Sequence, residues 1–278
     1  MAEKQDRLTR FLLPEAHARG AIIRAENIIE RANKLHGFSG SPSEMFGKAL
    51  IASILLLSVS KGGIRQVLQF DCNDQAQAPI NRIMAEAKAG AVRGFLSWSE
   101  DGPQSRSHLD AGVSAWMGKP IKTSVVRDLG IGQPYISTIE HDSDYMADHI
   151  LHFLHQSAQI QSDVIIQGDI GILLEAMPGS DEEHWFKAVD AMAKISNEAL
   201  ETASIEEILK SFDSLGCKIV GEDEYAYRCD CKPETMIAAL LTIPNEQLQE
   251  LLDEHGEVTL SCQYCNNSYK VDPKAIEK

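Results

Sequence analysis

Cys229-Asp230-Cys231-Lys232-Pro233-Glu234 opens the last fifty residues of the chain, and Cys262-Gln263-Tyr264-Cys265 answers it thirty residues further on. Four thiols spaced as C-x-C and C-x-x-C are the ligand set of a tetrahedral, all-cysteine zinc site. A C-x-x-C on a β-turn lets two sulfurs reach one metal, and a second close pair completes the tetrahedron. A module this short buries too little apolar surface to be stable by packing alone. One Zn2+ per chain on Cys229, Cys231, Cys262 and Cys265 would therefore supply much of its folding free energy. The competing reading is four unrelated cysteines in a reducing cytosol. With four of the chain's six cysteines in two tight pairs, that reading is the weaker one.

Around the cysteines the sequence predicts a small folded unit. Pro233-Glu234 marks a helix start, with Met236, Ile237, Leu240 and Leu241 on one face. The partial positive charge at that N-terminus favours the thiolate forms of Cys229 and Cys231. A second helix, Asn245 to His255, ends at Gly256. Val258 and Leu260 lead into Cys262, and Tyr269 and Val271 lead out of Cys265, which predicts a β-hairpin with the metal knuckle at its tip. Cys72 and Cys217 stand alone, the first as a small buried residue and the second as an incidental thiol.

A length of 278 residues implies about two domains. No secretory signal is read at Met1 to Arg10, which is polar and charged. The longest apolar run, Ala49 to Val59, is interrupted by Ser53 and Ser58 and falls short of a bilayer. A soluble, cytoplasmic protein with reduced or metal-bound cysteines is expected, with no membrane partner. The net charge is −15. Residues 229–278 carry 4 basic and 9 acidic residues, and 181–228 carry 5 and 12, for nets of −5 and −7. A zinc module that binds nucleic acid needs a basic face, so this one points away from nucleic acid and toward protein partners.

Upstream, Ala21, Ile22, Ala25, Ile28, Ile29 and Ala32 recur at helical spacing, and Ser43 to Ser60 predicts a buried helix ended by Gly62-Gly63. From Ile64 the period changes to two. Strands are expected at 64–71, 80–87, 91–97, 121–127, 135–140 and 164–167, a helix over 143–159, and a helix or strand over 170–177. Strands grouped together and followed by helices favour an α+β class. Gly130-x-Gly132 lacks the third glycine of a dinucleotide loop. His149, His152 and His155 span too wide an arc of a helix for one tetrahedral metal and are expected to face solvent. No Gly-x-Ser-x-Gly elbow and no Walker loop occurs, which points away from an enzyme.

After Pro178-Gly179 the chain turns acidic and helical. Trp185, Ala188, Val189, Met192 and Ile195 form one stripe; Ser204-Ile205-Glu206-Glu207 is a capping box for a helix carrying Ile208, Leu209 and Phe212. The expected organisation is a mixed α/β core domain over 1–178, an acidic amphipathic helical linker over 179–228, and a zinc domain over 229–278.

The order C-x-C, thirty residues, C-x-x-C near the C-terminus is similar to that of the thirty-three-kilodalton heat-shock family, bacterial redox-regulated holdase chaperones. Upstream the resemblance takes in Gly47-Lys48-Ala49-Leu50, Gly62-Gly63, Val92-Arg93-Gly94, Arg127-Asp128-Leu129-Gly130 before Gln133-Pro134-Tyr135, and Gly171-Ile172-Leu173-Leu174 near Pro178. The sequence departs from the family at Ser157-Ala158-Gln159, where an acidic middle residue is expected, and at Ile160-Gln161, which lacks the usual proline. The resemblance implies disulfides Cys229–Cys231 and Cys262–Cys265 on oxidation, loss of zinc, and a linker that comes loose and presents Trp185, Met192, Ile208 and Phe212 to unfolding client proteins. It also implies a homodimer when oxidised. Two other readings of the cysteines stay open. One is a thiol–disulfide oxidoreductase using Cys262 and Cys265; the other is a structural zinc module docking a protein partner.

Overall fold

The computed structural model describes residues 5–73, 78–100, 102, 112–240, 243 and 258–271, in two units, Met1–Tyr227 and Arg228–Lys278. In the larger unit the strands are β1 (Asp6–Leu13), β2 (Ala18–Arg24), β3 (Arg65–Asp71), β4 (Ile80–Lys88), β5 (Ala91–Trp98), β6 (Ile121–Asp128), β7 (Tyr135–His141), β8 (Ser162–Gln167), β9 (Ile170–Ala176) and β10 (Lys218–Tyr227). They form one sheet in the order β7-β6-β3-β4-β5-β10-β1-β2-β9-β8. Two antiparallel five-stranded blocks meet at its centre, where β10 runs parallel to β5 over just two residue pairs, Ala226–Ala91 and Tyr227–Val92.

The helices are α1 (Glu26–His36), α2 (Gly40–Val59), α3 (Val113–Met117), α4 (Met146–Gln156), α5 (Glu182–Ala193), α6 (Asn197–Thr202) and α7 (Ile205–Leu209). One sheet face packs against α1, α2 and α4 in the main core, through Phe46, Leu50, Ile54, Leu68, Phe70 and Ile150. α2 approaches the sheet so closely that a Cβ on Gly171 of β9 would lie 2.2 Å from Ile51 Cγ2, and one on Gly94 of β5 would lie 2.9 Å from Phe46 Cε2. At 20 residues α2 is longer than the apolar run that its sequence suggests and passes a length and composition test for crossing a membrane, but most of it is buried inside this core.

The opposite face of β1, β2 and β9 is also covered. There Phe11, Ile22, Ile172 and Leu174 pack with Met192, Ile208 and Phe212 in a second cluster. Strands buried on both faces lose the polar–apolar alternation that marks a half-buried strand. This is why Ala21 and Ile22, expected in a helix, lie in β2, and why 170–177 read ambiguously. The helix takes over only at Glu26, where the Asp6 carboxylate accepts from the Asn27 and Ile28 amides at its first turn. Helix α3 carried no clear signal in five residues.

The stretch 179–228 is helical through α5, α6, α7 and a 3-10 turn at Lys210–Leu215, but residues 218–227 are β10, in the middle of the sheet. The acidic residues of β10 fall in the stretch expected as an acidic amphipathic helical linker. They are instead partners for basic side chains of the neighbouring strand: Arg10 pairs with Asp223 at 2.8 Å and Arg7 with Glu222 at 3.3 Å. His149, expected in solvent, is fully buried with Nε2 donating to the Ser143 carbonyl (3.1 Å). His152 stacks on His141 (4.3 Å between ring centres), and His155 is exposed with its Nε2 2.9 Å from the Ser162 carbonyl oxygen.

The smaller unit has helix α8 (Pro233–Leu240) and a hairpin of β11 (Val258–Ser261) and β12 (Ser268–Val271), in register from Val258–Val271 to Ser261–Ser268. Its described core is three buried side chains, Leu240, Val258 and Val271. The helix expected over Asn245 to His255 and its Gly256 stop lie outside the described residues, as does Leu241.

Candidate metal centre

The β11–β12 hairpin holds the C-x-x-C at its turn. The Cys265 and Asn266 amides both donate to the Cys262 carbonyl, at 3.3 and 2.8 Å, and the Cys262 amide donates to the Asn267 carbonyl at 2.9 Å. Asn266 takes a left-handed conformation (φ 57°), which asparagine tolerates and which closes the knuckle. Cys262 and Cys265 are buried at this tip. Cys229 and Cys231 arrive on the segment before α8, and the four sulfurs lie within 4.8 Å of one another. Sulfurs approach one another across the sequence pairs, at 3.7 Å for Cys229–Cys262 and 3.3 Å for Cys231–Cys265. A tetrahedron of thiolates at about 2.3 Å from zinc has edges of about 3.8 Å, so the donor set fits such an ion.

The electrostatics are uneven. Burial raises the Cys229 and Cys265 thiols, and hydrogen bonds within the cluster reinforce this. Burial also acts against the Cys231 thiolate, but the Tyr269 hydroxyl and the neighbouring thiols outweigh it and lower its pKa. Tyr269 Oη sits 3.1 Å from Cys231 Sγ, and sharing that bond pushes the phenol up to about 12. Stabilisation of one thiolate by a hydroxyl was not legible in the spacing; the α8 N-terminus had been expected to favour both Cys229 and Cys231. Cys72 and Cys217 are half-buried thiols of the larger unit, and burial raises Cys217.

The other residues singled out lie in the larger unit. Met192, Ile208 and Phe212 are buried against the sheet, and Trp185 is half-buried at the margin of the same cluster. Two arginines of the sheet grip these helices. Arg24 pairs with Asp169 at 2.6 Å and donates from Nη2 to the Leu200 and Ala203 carbonyls at the end of α6, at 2.8 and 2.9 Å. Arg7 pairs with Glu206 in the first turn of α7. The capping box is present: Ser204 accepts from the Glu207 amide, and Glu207 accepts from the Ser204 amide.

A mixed α/β unit followed by a small unit with four gathered thiols defines a two-unit protein with a candidate cysteine metal centre. The Hsp33 protein family matches residues 6–272, and the chain belongs to that family. It is 28% identical over 281 residues to the 33 kDa chaperonin of Aquifex aeolicus (strain VF5), covering 92% of this chain and 84% of the relative. It is 26% identical over 288 residues to the 33 kDa chaperonin of Clostridium perfringens (strain 13 / Type A), covering 98% and 90%. The crystal structure of the 33 kDa chaperonin (heat shock protein 33 homolog) from Thermotoga maritima has the same fold, with a TM-score of 0.77 at 23% identity, covering 99% of this chain and 96% of that one.

Proposed function

We propose that the protein is a cytoplasmic, ATP-independent holdase chaperone, inert when reduced and activated by oxidation of its four-cysteine centre under oxidative and heat stress. The observation that carries the reading is the convergence of Cys229, Cys231, Cys262 and Cys265 within 4.8 Å, in a unit whose described core is three side chains. Bound zinc would hold this unit together by ligation to the four thiolates, contributing on the order of 10 kcal/mol of folding free energy. Peroxide takes two electrons from each pair of thiols, which close to a disulfide while peroxide is reduced to two waters. Disulfide sulfurs are no longer anionic ligands, and the unit then lacks the core to stay folded.

The family resemblance puts those disulfides at Cys229–Cys231 and Cys262–Cys265; sulfurs also approach across the pairs, at 3.7 Å for Cys229–Cys262 and 3.3 Å for Cys231–Cys265. Tyr227, the last residue of β10, is two residues from Cys229, so the unfolding segment is covalently tied to a strand that pairs with β5 over two residues and with β1 from Asp6–Tyr225 to Leu12–Lys218. Loosening of 179–227 would then uncover Trp185, Met192, Ile208 and Phe212 together with the sheet face beneath them, an apolar surface that captures unfolding proteins. The oxidised form is read as a homodimer. An oxidoreductase is less well supported, because the C-x-x-C sits on a hairpin and not at a helix N-terminus.

The test is light scattering from a thermally unfolding client with three samples: reduced zinc-loaded protein, peroxide-treated protein, and treated protein returned to reductant and zinc. Suppression is expected in the second alone, accompanied by zinc loss. Equal suppression by the reduced form would overturn the switch. Catalytic turnover in insulin reduction would favour the oxidoreductase.

A further inference from the structure

In the larger unit, far along the chain from the cysteines, a cavity of about 170 Å³ lies where the ends of α2 and α4 cross β3, β6 and β7. Its walls are apolar, with Leu56, Val125, Phe153, Leu154 and Ala158 among them. An apolar cavity of about 150 Å³ is large enough to take a benzene ring. Its polar side chains are Ser60, Gln66, Arg127, Tyr135 and Ser157, and the first three each bury an atom that finds no partner among the described residues: Ser60 Oγ, Gln66 Oε1 and Arg127 Nε. Gln66 is 3% exposed. Gln66 and Arg127 are directly opposite each other in the β3–β6 pairing, and Arg127 is opposite Tyr135 in the β6–β7 pairing, so the three form one row on the helix-covered face.

The orphaned atoms define the ligand by their chemistry. Gln66 Oε1 accepts and Arg127 Nε–H donates. A carboxylate would satisfy the arginine and leave two acceptors facing each other at the glutamine. An ammonium group would satisfy the glutamine and set a second cation beside the arginine. A peptide group offers one N–H and one C=O, and a neighbouring apolar side chain would fill the space between Leu56 and Phe153. Pockets that combine apolar walls with a few convergent polar groups are the usual form of a binding site.

The rim agrees with a polypeptide ligand. Tyr135, 57% exposed, opens β7, the outermost strand of the sheet, whose far edge pairs with no other described strand. Ile64 and Ile131 are exposed nearby, at the start of β3 and in the β6–β7 turn, where a Cβ on Gly130 would touch Ile64 Cδ1 at 3.0 Å. An unpaired strand edge is a template for an extended chain.

We propose that this cavity is a binding site for an extended polypeptide segment, taking one apolar side chain and hydrogen-bonding the adjoining peptide group through Gln66 and Arg127. It is present in the reduced fold and does not depend on the cysteine centre. The probe is N-acetyl-L-phenylalaninamide, titrated into the reduced, zinc-loaded full chain and followed by methyl NMR of Leu56, Val125 and Leu154. The controls are 3-phenylpropionate and phenethylammonium, which keep the ring and replace the amide with a single charge.

Saturable shifts with the amide are expected, weaker by about tenfold in Gln66→Met and lost in Ala158→Leu, which narrows the cavity. The Ala158→Leu variant leaves the Gln66–Arg127 row intact and keeps the test open should Gln66→Met fold poorly. Absence of saturable shifts in the wild type would reduce the cavity to a site for buried water and overturn the proposal. Equal or tighter binding of either charged control would overturn the polypeptide assignment. Because the protein stays reduced throughout, a negative result leaves the oxidation switch standing, and failure of the switch leaves this site standing.

Discussion

The ring of Phe212 lies 5.5 Å from the ring of Phe11, inclined by 31°, and both side chains are fully buried. Phe11 belongs to the central β1, so the turn that ends the helical stretch is anchored in the same apolar cluster as the sheet. Phe212→Ala removes a buried aromatic and should cost about 3–5 kcal/mol. The expected outcome is a lower melting temperature, faster proteolytic cleavage within 180–216, and suppression of client aggregation by the reduced protein. A variant with a lower melting temperature that stayed inert until oxidised would show that this contact is not what keeps the surface closed.

Arg24 holds the middle of the stretch, at the end of α6. Its guanidinium gives the terminal carbonyls of α6 the cation that a helix C-terminus favours, while Asp169 fixes it from the turn between β8 and β9. Arg24→Met keeps the length and removes the charge-assisted bonds, a loss of about 2 kcal/mol. Hydrogen exchange at 197–209 should rise while zinc content stays at the wild-type level. Unchanged exchange there would assign the grip to apolar packing alone.

What the sequence made legible follows from how each element is buried. The hairpin around Cys262 and Cys265 could be read because the thiols, the turn and the flanking β residues are adjacent in sequence. The capping box at Ser204 and Glu207 is equally local. β10 was missed because its identity depends on β1 and β5, residues 6–13 and 91–98, which no local pattern reveals; Glu222 and Asp223 counted only toward an acidic linker because Arg7 and Arg10 are remote. Ala21 and Ile22 passed for a helix because packing on both faces of β2 erased the period of two. The burial of His149 likewise comes from α4 lying on the sheet, where its ring meets Phe70 edge to face at 6.1 Å. At the metal centre the cysteine set was visible, whereas the role of Tyr269 depends on the β11–β12 register that brings it to Cys231.

The ligand set is tested by substitution. Cys229→Ser, Cys231→Ser, Cys262→Ser and Cys265→Ser should each lower zinc retention, and Cys72→Ser and Cys217→Ser should retain one zinc per chain. Chelation of the wild type should abolish protease resistance in 228–278 and leave the strands of the larger unit protected, because that unit has its own core. Full zinc occupancy in the Cys262→Ser, Cys265→Ser double variant would rule out the centre. Peptide mapping after peroxide decides between disulfides within the sequence pairs and disulfides along the short 229–262 and 231–265 separations.

Acid stability should depend on one buried carboxylate of the sheet. Glu86, with a side chain 5% exposed, accepts from Arg65 Nη2 at Oε2 and from Arg93 Nη2 at Oε1, both at 2.9 Å. Burial raises its pKa, but the two guanidinium groups outweigh burial and hold it below the ordinary glutamate value. A carboxylate depressed in the fold contributes stability above its unfolded pKa of about 4.3 and loses it as the pH falls through the lower folded value. Glu86→Gln keeps the shape and removes the charge that Arg65 and Arg93 share, at a cost of about 1–3 kcal/mol near neutrality. Urea midpoints measured from about pH 7 down to about pH 3 should show that difference shrinking as the wild-type carboxylate becomes protonated and comes to resemble the amide. A difference constant across the range would mean that the charge on Glu86 contributes nothing to the fold, and that the cost of the variant lies in packing alone.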